Sequence, residues 1–231
     1  MVKKIKGFLR ENRITSSLYK KLYTLRHHKE FCEIKERRDA IQQNGIALIH
    51  FLQDVLSNEF FFFDMGTLLG IVREGRLLGH DLDVDLGVIL NNKDEIEKVR
   101  SLLTEVGCEH VRSFLIDEIG IVEDSFKYNK IRFDVSYYHQ REEDSVVYLT
   151  YIDPEQPLEP GLYKVVELVT SKIESVDLIE FGGKKINVPT NSEKYLSERY
   201  GMNWKIPDKG YVYWKGPSAK LTNYVGKQTI E

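Results

Sequence analysis

The first half of the chain alternates helical and strand patterns of apolar residues. Apolar positions at helical spacing predict a long amphipathic helix ending near residues 57–58: Ile34, Ile41, Leu48, Leu52 and Leu56. The all-aromatic run 60–63 suits a buried strand. Thr67 is then placed to cap a short helix over residues 68–73, and Gly75 stops that helix.

Segment 81–88 alternates polar and apolar residues with the period of a β-strand, so Asp81, Asp83 and Asp85 share one face. The opposite face is apolar and goes inward: Leu82, Val84 and Leu86. A further helix is predicted between residues 91 and 107.

Strands dominate the second half. Four are predicted at 109–116, 121–128, 130–138 and 146–152, with Asn129 as a tight turn. Gly182-Gly183 predicts a hairpin between strands at 176–181 and 184–188. Ser192 can cap a last helix, which ends at Gly201, whereas residues 162–175 give no assignable pattern.

This order of elements favours an α+β domain with a mixed central sheet flanked by helices and an N-terminal helical segment. The chain has 231 residues, enough for one well-packed domain with appendages. We divide it into a basic helical extension (1–35), a catalytic domain (36–207) and a C-terminal tail rich in aromatic and basic residues (208–231).

The amino-acid composition limits the classes of protein to which the chain can belong. Hydrophobic residues make up 42% and charged residues 30%, as in folded soluble proteins, and the net charge of −3 argues against a nucleic-acid partner. Cys32 and Cys108 lie far apart, which argues against disulfides and predicts a reducing compartment. With no signal-peptide core and no spanning apolar run, we expect a cytoplasmic location.

Residues 1–35 carry ten Lys or Arg against three acids, a local balance of +7. Interleaved with apolar residues, these cations could bind anionic lipid headgroups at the inner face of the membrane. Alternatively, the segment is a solvated helix packed on its own domain.

The three aspartates place like charges close together, which is destabilising unless something positive lies among them. A divalent cation meets that need, and Mg²⁺ or Mn²⁺ suits hard oxygen ligands combined with substrate phosphates. The alternative is a solvated acidic strand face.

Gly66 and Thr67 follow a strand and open a helix, where free amides can receive phosphate oxygens. Alternation over segment 130–136 places four polar residues on one face: Lys130, Arg132, Asp134 and Ser136. Asp134 is therefore a candidate fourth carboxylate for the metal and for catalysis. An ion pair of Asp134 with Arg132 or Lys130 is the alternative.

Three further residues, Arg73, Arg76 and His80, lie between the glycine turn and the aspartates and could contact a pyrophosphate or a leaving group. Each could instead be a solvated surface residue, and His80 a hydrogen-bonding neighbour of the acids. The candidate phosphate-binding residues are Gly66, Thr67, Arg73, His80, Lys130 and Arg132.

Two separated motifs carry a resemblance to a known family. Segment 66–73 (GTLLGIVR) followed by 80–85 (HDLDVD) resembles the signature of the LicD, fukutin and fukutin-related protein family. Segment 188–190 (VPT), Tyr195-Leu196, 200–204 (YGMNW) and Pro207 are similar to its closing motif. The chain departs from the family at Gly79-His80, where Pro-Trp is common, and at Leu82, and it lacks a cysteine-rich zinc insertion.

The resemblance implies a nucleotidyltransferase (polymerase beta-like) fold. It also implies transfer of a phospho-alcohol, such as phosphocholine or ribitol phosphate, from a CDP-activated donor to a hydroxyl of a glycan or lipid-linked oligosaccharide. By the same resemblance, the metal and the reacting groups are held by Asp81, Asp83, Asp85 and Asp134. Two alternatives remain open: a nucleotidyltransferase that moves an NMP from an NTP, and a non-catalytic scaffold of glycan assembly.

Overall fold

A computed structural model describes residues 28–229. The helices are α1 (His28–Val55), α2 (Met65–Glu74), α3 (Asp94–Glu105), α4 (Ser192–Tyr200) and a 3-10 helix (Tyr213–Lys215). The strands are β1 (Phe61–Phe63), β2 (Asp83–Leu90), β3 (Glu109–Ile116), β4 (Gly120–Tyr128), β5 (Ile131–Gln140), β6 (Asp144–Tyr151), β7 (Leu162–Ser171), β8 (Val176–Phe181), β9 (Lys184–Pro189) and β10 (Ala219–Thr229).

The main sheet has eight strands in the order β1-β2-β5-β4-β3-β10-β7-β6. β2 and β5 run parallel, whereas the other strand pairs of this sheet within residues 28–229 are antiparallel. The sheet curls until β6 also pairs with the end of β5. β8 and β9 form a separate hairpin. The expected α+β architecture with a mixed sheet is confirmed.

Helices cover both faces of the sheet. Ile49 of α1 and Val99 of α3 pack with Val84 of β2 on one face, and Leu196 of α4 packs with Phe62 on the other. The three phenylalanines of β1 are all fully buried because Phe61 and Phe63 enter the first core and Phe62 enters the second. This two-sided burial explains an all-apolar strand.

Two strands were not predicted from the sequence. β7 falls in the unassigned stretch, because its adjacent Val165 and Val166 are both buried, in different cores, so that period-two alternation is lost. β10 falls in the tail. It is largely solvent-exposed, with a register shift between Leu221 and Val225, and its backbone pairs with β3 and β7 on either side.

Four predicted local details were wrong. Thr67 does not cap α2: the helix begins at Met65 after Asp64. Ser192 is the first residue of α4, and Asn191 caps it by accepting a hydrogen bond from the Lys194 amide. Two residues lie off their predicted strands: Asp81, which precedes β2, and Lys130, which lies with φ 69° in the turn before β5.

The basic extension 1–35 lies mainly outside the described residues, which include only its end as the first turns of α1. Between residues 28 and 229, no helix combines the length and the apolar character needed to cross a bilayer.

A buried polar network joins the start of α2 to α4. The Asp64 carboxylate accepts hydrogen bonds from the hydroxyls of Tyr138 and Tyr195, the latter at 2.6 Å. Arg199 donates to the Tyr138 hydroxyl at 3.1 Å and lies 3.6 Å from Asp64. Asp64 and Arg199 are 0% and 1% exposed, so this ion pair is withdrawn from water.

We predict that Asp64→Asn and Arg199→Met each lower the free energy of unfolding by about 3 kcal/mol, because each leaves one buried charge without its counterion. The double variant should lose clearly less than the sum of the two losses. Urea denaturation measures all four corners of this cycle. Asp117→Asn, which removes an exposed ion pair with Lys227, is the control and should change stability by less than about 0.5 kcal/mol. Strict additivity would show that the ion pair is not coupled.

Candidate active site

Four carboxylates share one face of three adjacent strands. The parallel register places Asp85 of β2 opposite Asp134 of β5, and Asp83 precedes Asp85 by two residues on the same strand. The antiparallel register of β4 with β5 places Glu123 opposite Ser136. Since residues two apart on a strand point to the same side, Asp83, Asp85, Asp134 and Glu123 project from one face.

Burial and mutual repulsion raise the pKa values of these acids. Burial, followed by the charges of Asp83 and Asp134, raises the pKa of Asp85 well above its ordinary value. Burial and the Asp134 charge raise the pKa of Asp83 to about 6 and that of Glu123 to about 8. Burial also raises the pKa of Asp134. Ionising these acids together is therefore unfavourable, and a bound cation would lower that cost.

Arginines partly balance the cluster. Arg37 of α1 contacts the Asp83 carboxylate at 3.3 Å. Arg112 of β3 donates to the Ser125 hydroxyl at 3.0 Å, and Ser125 in turn hydrogen-bonds Asp134. These contacts hold the carboxylates in place but leave an oxygen of Asp134, Oδ1, buried without a hydrogen-bond partner.

The turn between β1 and α2 brings Asp81 to the cluster. A Cβ on Gly66 would lie 3.1 Å from the Asp81 carboxylate, so the absence of a side chain lets the two approach. The Asp64 amide donates to the Asp85 carbonyl at 3.0 Å, and the Asp85 amide donates to the Thr67 hydroxyl at 2.9 Å. Thr67 thus anchors the backbone of Asp85. Burial raises the pKa of Asp81 to about 6.

A large cavity of about 1590 Å³ opens above the carboxylates. Arg73 of α2 lies in its wall, where one guanidinium nitrogen donates to the Trp204 carbonyl at 3.3 Å and the buried Nε has no hydrogen-bond partner. Arg76 and His80 lie at the rim with side chains 67% and 76% exposed. The other terminal nitrogen of Arg73 donates to Glu74 at 2.9 Å, so Nε is the donor of this side chain that remains free for an anionic ligand.

The structure brings most of the predicted site residues together. The predicted residues that line the cavity are Gly66, Arg73, Arg76, His80, Asp81, Asp85 and Asp134. Those that do not line it are Thr67, Asp83, Lys130 and Arg132. Lys130 is exposed in its turn, whereas Arg132 lies opposite Asp83 and lowers the pKa of Asp83 by its charge.

Glu123 was not predicted as a site residue from the sequence, although the register of the hairpin that contains it indicates its position. Asn129 and Lys130 both have positive φ and form a two-residue turn, so Tyr128 must pair with Ile131. Counting back from that pair places Ser125 opposite Asp134 and Glu123 one step further on the same face.

A divalent cation fits part of this arrangement. In residues 28–229, no three His, Cys, Asp or Glu side chains are grouped so as to hold a metal ion by themselves. Asp85 and Asp134 nevertheless offer two facing carboxylates, one with the unsatisfied oxygen. Mg²⁺ is commonly bound through one or two carboxylates together with substrate phosphates, so a complete protein cage is not required.

Comparison with known proteins places this site in a family. The family model described as LicD/FKTN/FKRP, nucleotidyltransferase domain, matches residues 58–191, more than half of the chain. The chain belongs to the LicD family. The matched region contains the glycine turn, all four predicted aspartates and Glu123. The family's nucleotidyltransferase domain confirms the fold expected from the resemblance. Of the closing motif, segment 188–190 lies within the match and residues 195–207 lie beyond it.

Among curated proteins, no sequence matches this LicD-family chain. Among solved structures, ANT(2")-Ia in complex with adenylyl-2"-tobramycin aligns with a TM-score of 0.40 and 12% identity, covering 73% of this chain and 81% of that chain. The fold assignment rests on the family match and on the observed architecture.

We predict that Glu123 makes the free energy of unfolding depend on pH. Its folded pKa of about 8 lies above its ordinary 4.5, so unfolding releases a proton between these pH values and the folded state loses stability as pH rises. Glu123→Gln removes this loss. In chelator-treated protein, the variant should gain about 1–3 kcal/mol relative to the parent chain on going from pH 4.5 to pH 8, as measured by urea denaturation.

The matched control for this measurement is Glu118→Gln, an exposed glutamate in the turn between β3 and β4. Its stability should follow that of the parent chain at both pH values. If Glu123→Gln also followed the parent chain, Glu123 would not be held in a charge-excluding environment.

Proposed function

We propose that this LicD-family protein is a metal-dependent transferase that moves a phospho-alcohol from a CDP-activated donor to a hydroxyl of a glycan. The observation that carries the proposal is the pairing of Asp85 with Asp134 at the floor of a cavity beside the Gly66 turn. Phosphoryl transfer needs positioning and neutralised charge more than covalent participation by the protein.

The donor diphosphate would bind between the glycine turn and the part of the cavity lined by Arg73, Arg76 and Lys209. The first-turn amides of α2 are available, since Asp64 makes no side-chain capping bond to them. Arg73 offers its free Nε and Lys209 adds positive charge around the same cavity, whereas a terminal nitrogen of Arg73 and one of Arg76 are paired with Glu74 at 2.9 and 2.8 Å. This supports a diphosphate rather than a neutral ligand at this end.

Asp85 and Asp134, with Asp83 beside them, are the candidate ligands of Mg²⁺ or Mn²⁺. When bound, such an ion would neutralise the donor's phosphate charge and draw the leaving group's oxygen away from phosphorus. Arg37 restrains the Asp83 carboxylate, and the Arg112–Ser125 contact restrains Asp134, so neither needs to reorganise on binding.

In the proposed reaction the acceptor's hydroxyl oxygen forms a bond to the phosphorus that carries the alcohol, while the bridging bond to CMP breaks. CMP leaves with the bridging oxygen. The proton of the hydroxyl passes to a carboxylate, Asp81 or Asp134. Asp81 suits this role because burial raises its pKa to about 6, close to neutral pH, where a general base is effective.

A glycan or lipid-linked oligosaccharide would supply the acceptor. The basic segment 1–35 supports a peripheral contact with an anionic membrane surface on the cytoplasmic side, where such an acceptor would be anchored. Sedimentation with vesicles that contain or lack anionic lipid tests this part of the proposal, and binding that is insensitive to salt would contradict it.

We predict that the purified protein releases CMP from at least one member of a panel of CDP-alcohols, and that Asp85→Asn and Asp83→Asn each lower the rate by about 10³-fold or more. The thermal midpoint of Asp85→Asn should not fall, since a neutral amide replaces a crowded buried acid. Asp39→Asn, which alters an exposed residue of α1, is the control and should keep full activity. Release of pyrophosphate from an NTP, without CMP release, would instead favour nucleotidyl transfer.

We also predict that chelation abolishes CMP release and that Mg²⁺ or Mn²⁺ restores it. Without a cation, the donor phosphates would face unneutralised carboxylates. The measurement is CMP release before chelator, after chelator and after return of each ion, with Ca²⁺ as the comparison. Full activity in excess chelator would remove metal dependence from the proposal.

A further inference from the structure

The cavity has a second wall that the proposed phosphate chemistry does not use. Four aromatic side chains line the cavity there, one each from β3, β6, β7 and the 3-10 helix, and they come as two pairs from different hydrophobic clusters: Phe114 with Tyr163, and Tyr151 with Tyr213. We call this set the aromatic wall. Its four elements differ from α2 and the 201–209 segment, which supply Arg73, Arg76 and Lys209.

Side-chain contacts hold the aromatic wall in place. Tyr151 stacks on Trp214 with ring centres 4.9 Å apart, and Tyr213 meets the same indole edge-on at 4.9 Å. The Tyr213 hydroxyl donates to the Thr150 carbonyl at 2.6 Å. Tyr163 packs edge-on against Phe114 at 5.3 Å. A flat ligand would therefore meet rings that are already ordered.

Polar groups that suit hydroxyls lie next to the aromatic wall. Glu123 and Ser136 are paired across β4 and β5, and both line the cavity. The charge of Glu123 helps to raise the pKa of Tyr213, which places the carboxylate near that ring. Because its pKa is raised to about 8, Glu123 is mainly protonated near neutral pH, so its carboxyl group, like a serine hydroxyl, can both donate and accept hydrogen bonds.

We propose that the aromatic wall, together with Glu123 and Ser136, is the binding subsite for a pyranose ring. The apolar C–H face of the sugar packs against the tyrosines, and its hydroxyls bond to Glu123 and Ser136. This arrangement satisfies both halves of an amphipathic ring, as ligand sites with few convergent polar groups do. The role of that sugar as the acceptor rests on the proposed function, whereas its binding does not.

The alternative ligand for the rings is the donor's cytosine. A nucleoside diphosphate carries its charge near the base and needs cations close by, and those cations lie on the α2 side. Arg112 also lines the cavity beside the aromatic wall, but its guanidinium is engaged over Phe114 at 4.9 Å and donates to the Ser125 hydroxyl. The distribution of charge thus favours the neutral ligand at this end.

Saturation-transfer NMR of the full chain tests the subsite, with methyl glycosides of glucose, galactose and N-acetylglucosamine as probes and CDP as the donor-side probe. We expect Tyr163→Leu and Tyr213→Leu each to weaken binding of the preferred glycoside about three- to ten-fold. CDP binding should change by less than about two-fold. Tyr163→Leu keeps the test valid if Tyr213→Leu fails to fold.

Tyr128→Leu is the matched control, because its ring stacks on Phe51 at 4.3 Å outside the cavity. It should leave both affinities unchanged. Absence of glycoside binding by the parent chain, or loss of CDP binding in the tyrosine variants with glycoside binding intact, would overturn the proposal. Glycoside binding in a protein that releases CMP from no donor would support the subsite while refuting the proposed transfer, so the two failures are distinct.

Discussion

The site depends on several acidic side chains lying close together in a buried environment. Asp85 faces Asp134 across the parallel pair β2–β5, Asp83 lies one step away, and burial raises the pKa of each carboxyl. Such an arrangement costs folding free energy, because desolvated like charges repel each other in a medium of low dielectric constant. The same repulsion creates affinity for a cation and for the phosphates that accompany it.

The rest of the fold offsets this cost locally. Arg37 from α1 and Arg112 from β3 come from elements far apart in the chain: Arg37 contacts the Asp83 carboxylate directly, and Arg112 acts on Asp134 through its charge and through the Ser125 hydroxyl. The Asp64–Arg199 network fixes the start of α2, and Asp64 and Thr67 hold the backbone of Asp85 from both sides. The glycine turn and the acidic strand are therefore one rigid unit, which suits chemistry that relies on positioning.

The sequence predicted the site residues that follow from strand alternation and from the glycine turn. It did not predict the residues that are brought together by contacts between elements distant in the chain. Asp83 and Asp85 were predicted on one face, and the family match covers the predicted aspartates. Asp81 was placed on the strand but precedes it, since a period-two pattern does not mark where hydrogen bonding begins. The aromatic wall draws one residue from each of four elements, so no local pattern in the sequence could reveal it.

β10 shows the same limit in the fold. Its exposed side chains give no core signal, and its place between β3 and β7 is set by backbone hydrogen bonds to strands distant in the chain. Arg199 is similar: its sequence context, on a short polar helix, does not indicate that it is buried against Asp64. In both cases tertiary structure overrides local preference.

The turn at Asn129-Lys130 has a consequence for insertions and deletions. Loops on protein surfaces usually tolerate changes in length, and this one is exposed and lies outside the cavity. Its two residues nevertheless fix how β4 and β5 align. Adding or removing one residue would shift the register of β4 against β5. Glu123 and Ser125 would then no longer lie next to Asp134 on the same face. Variation in loop length is therefore constrained here by geometry rather than by exposure.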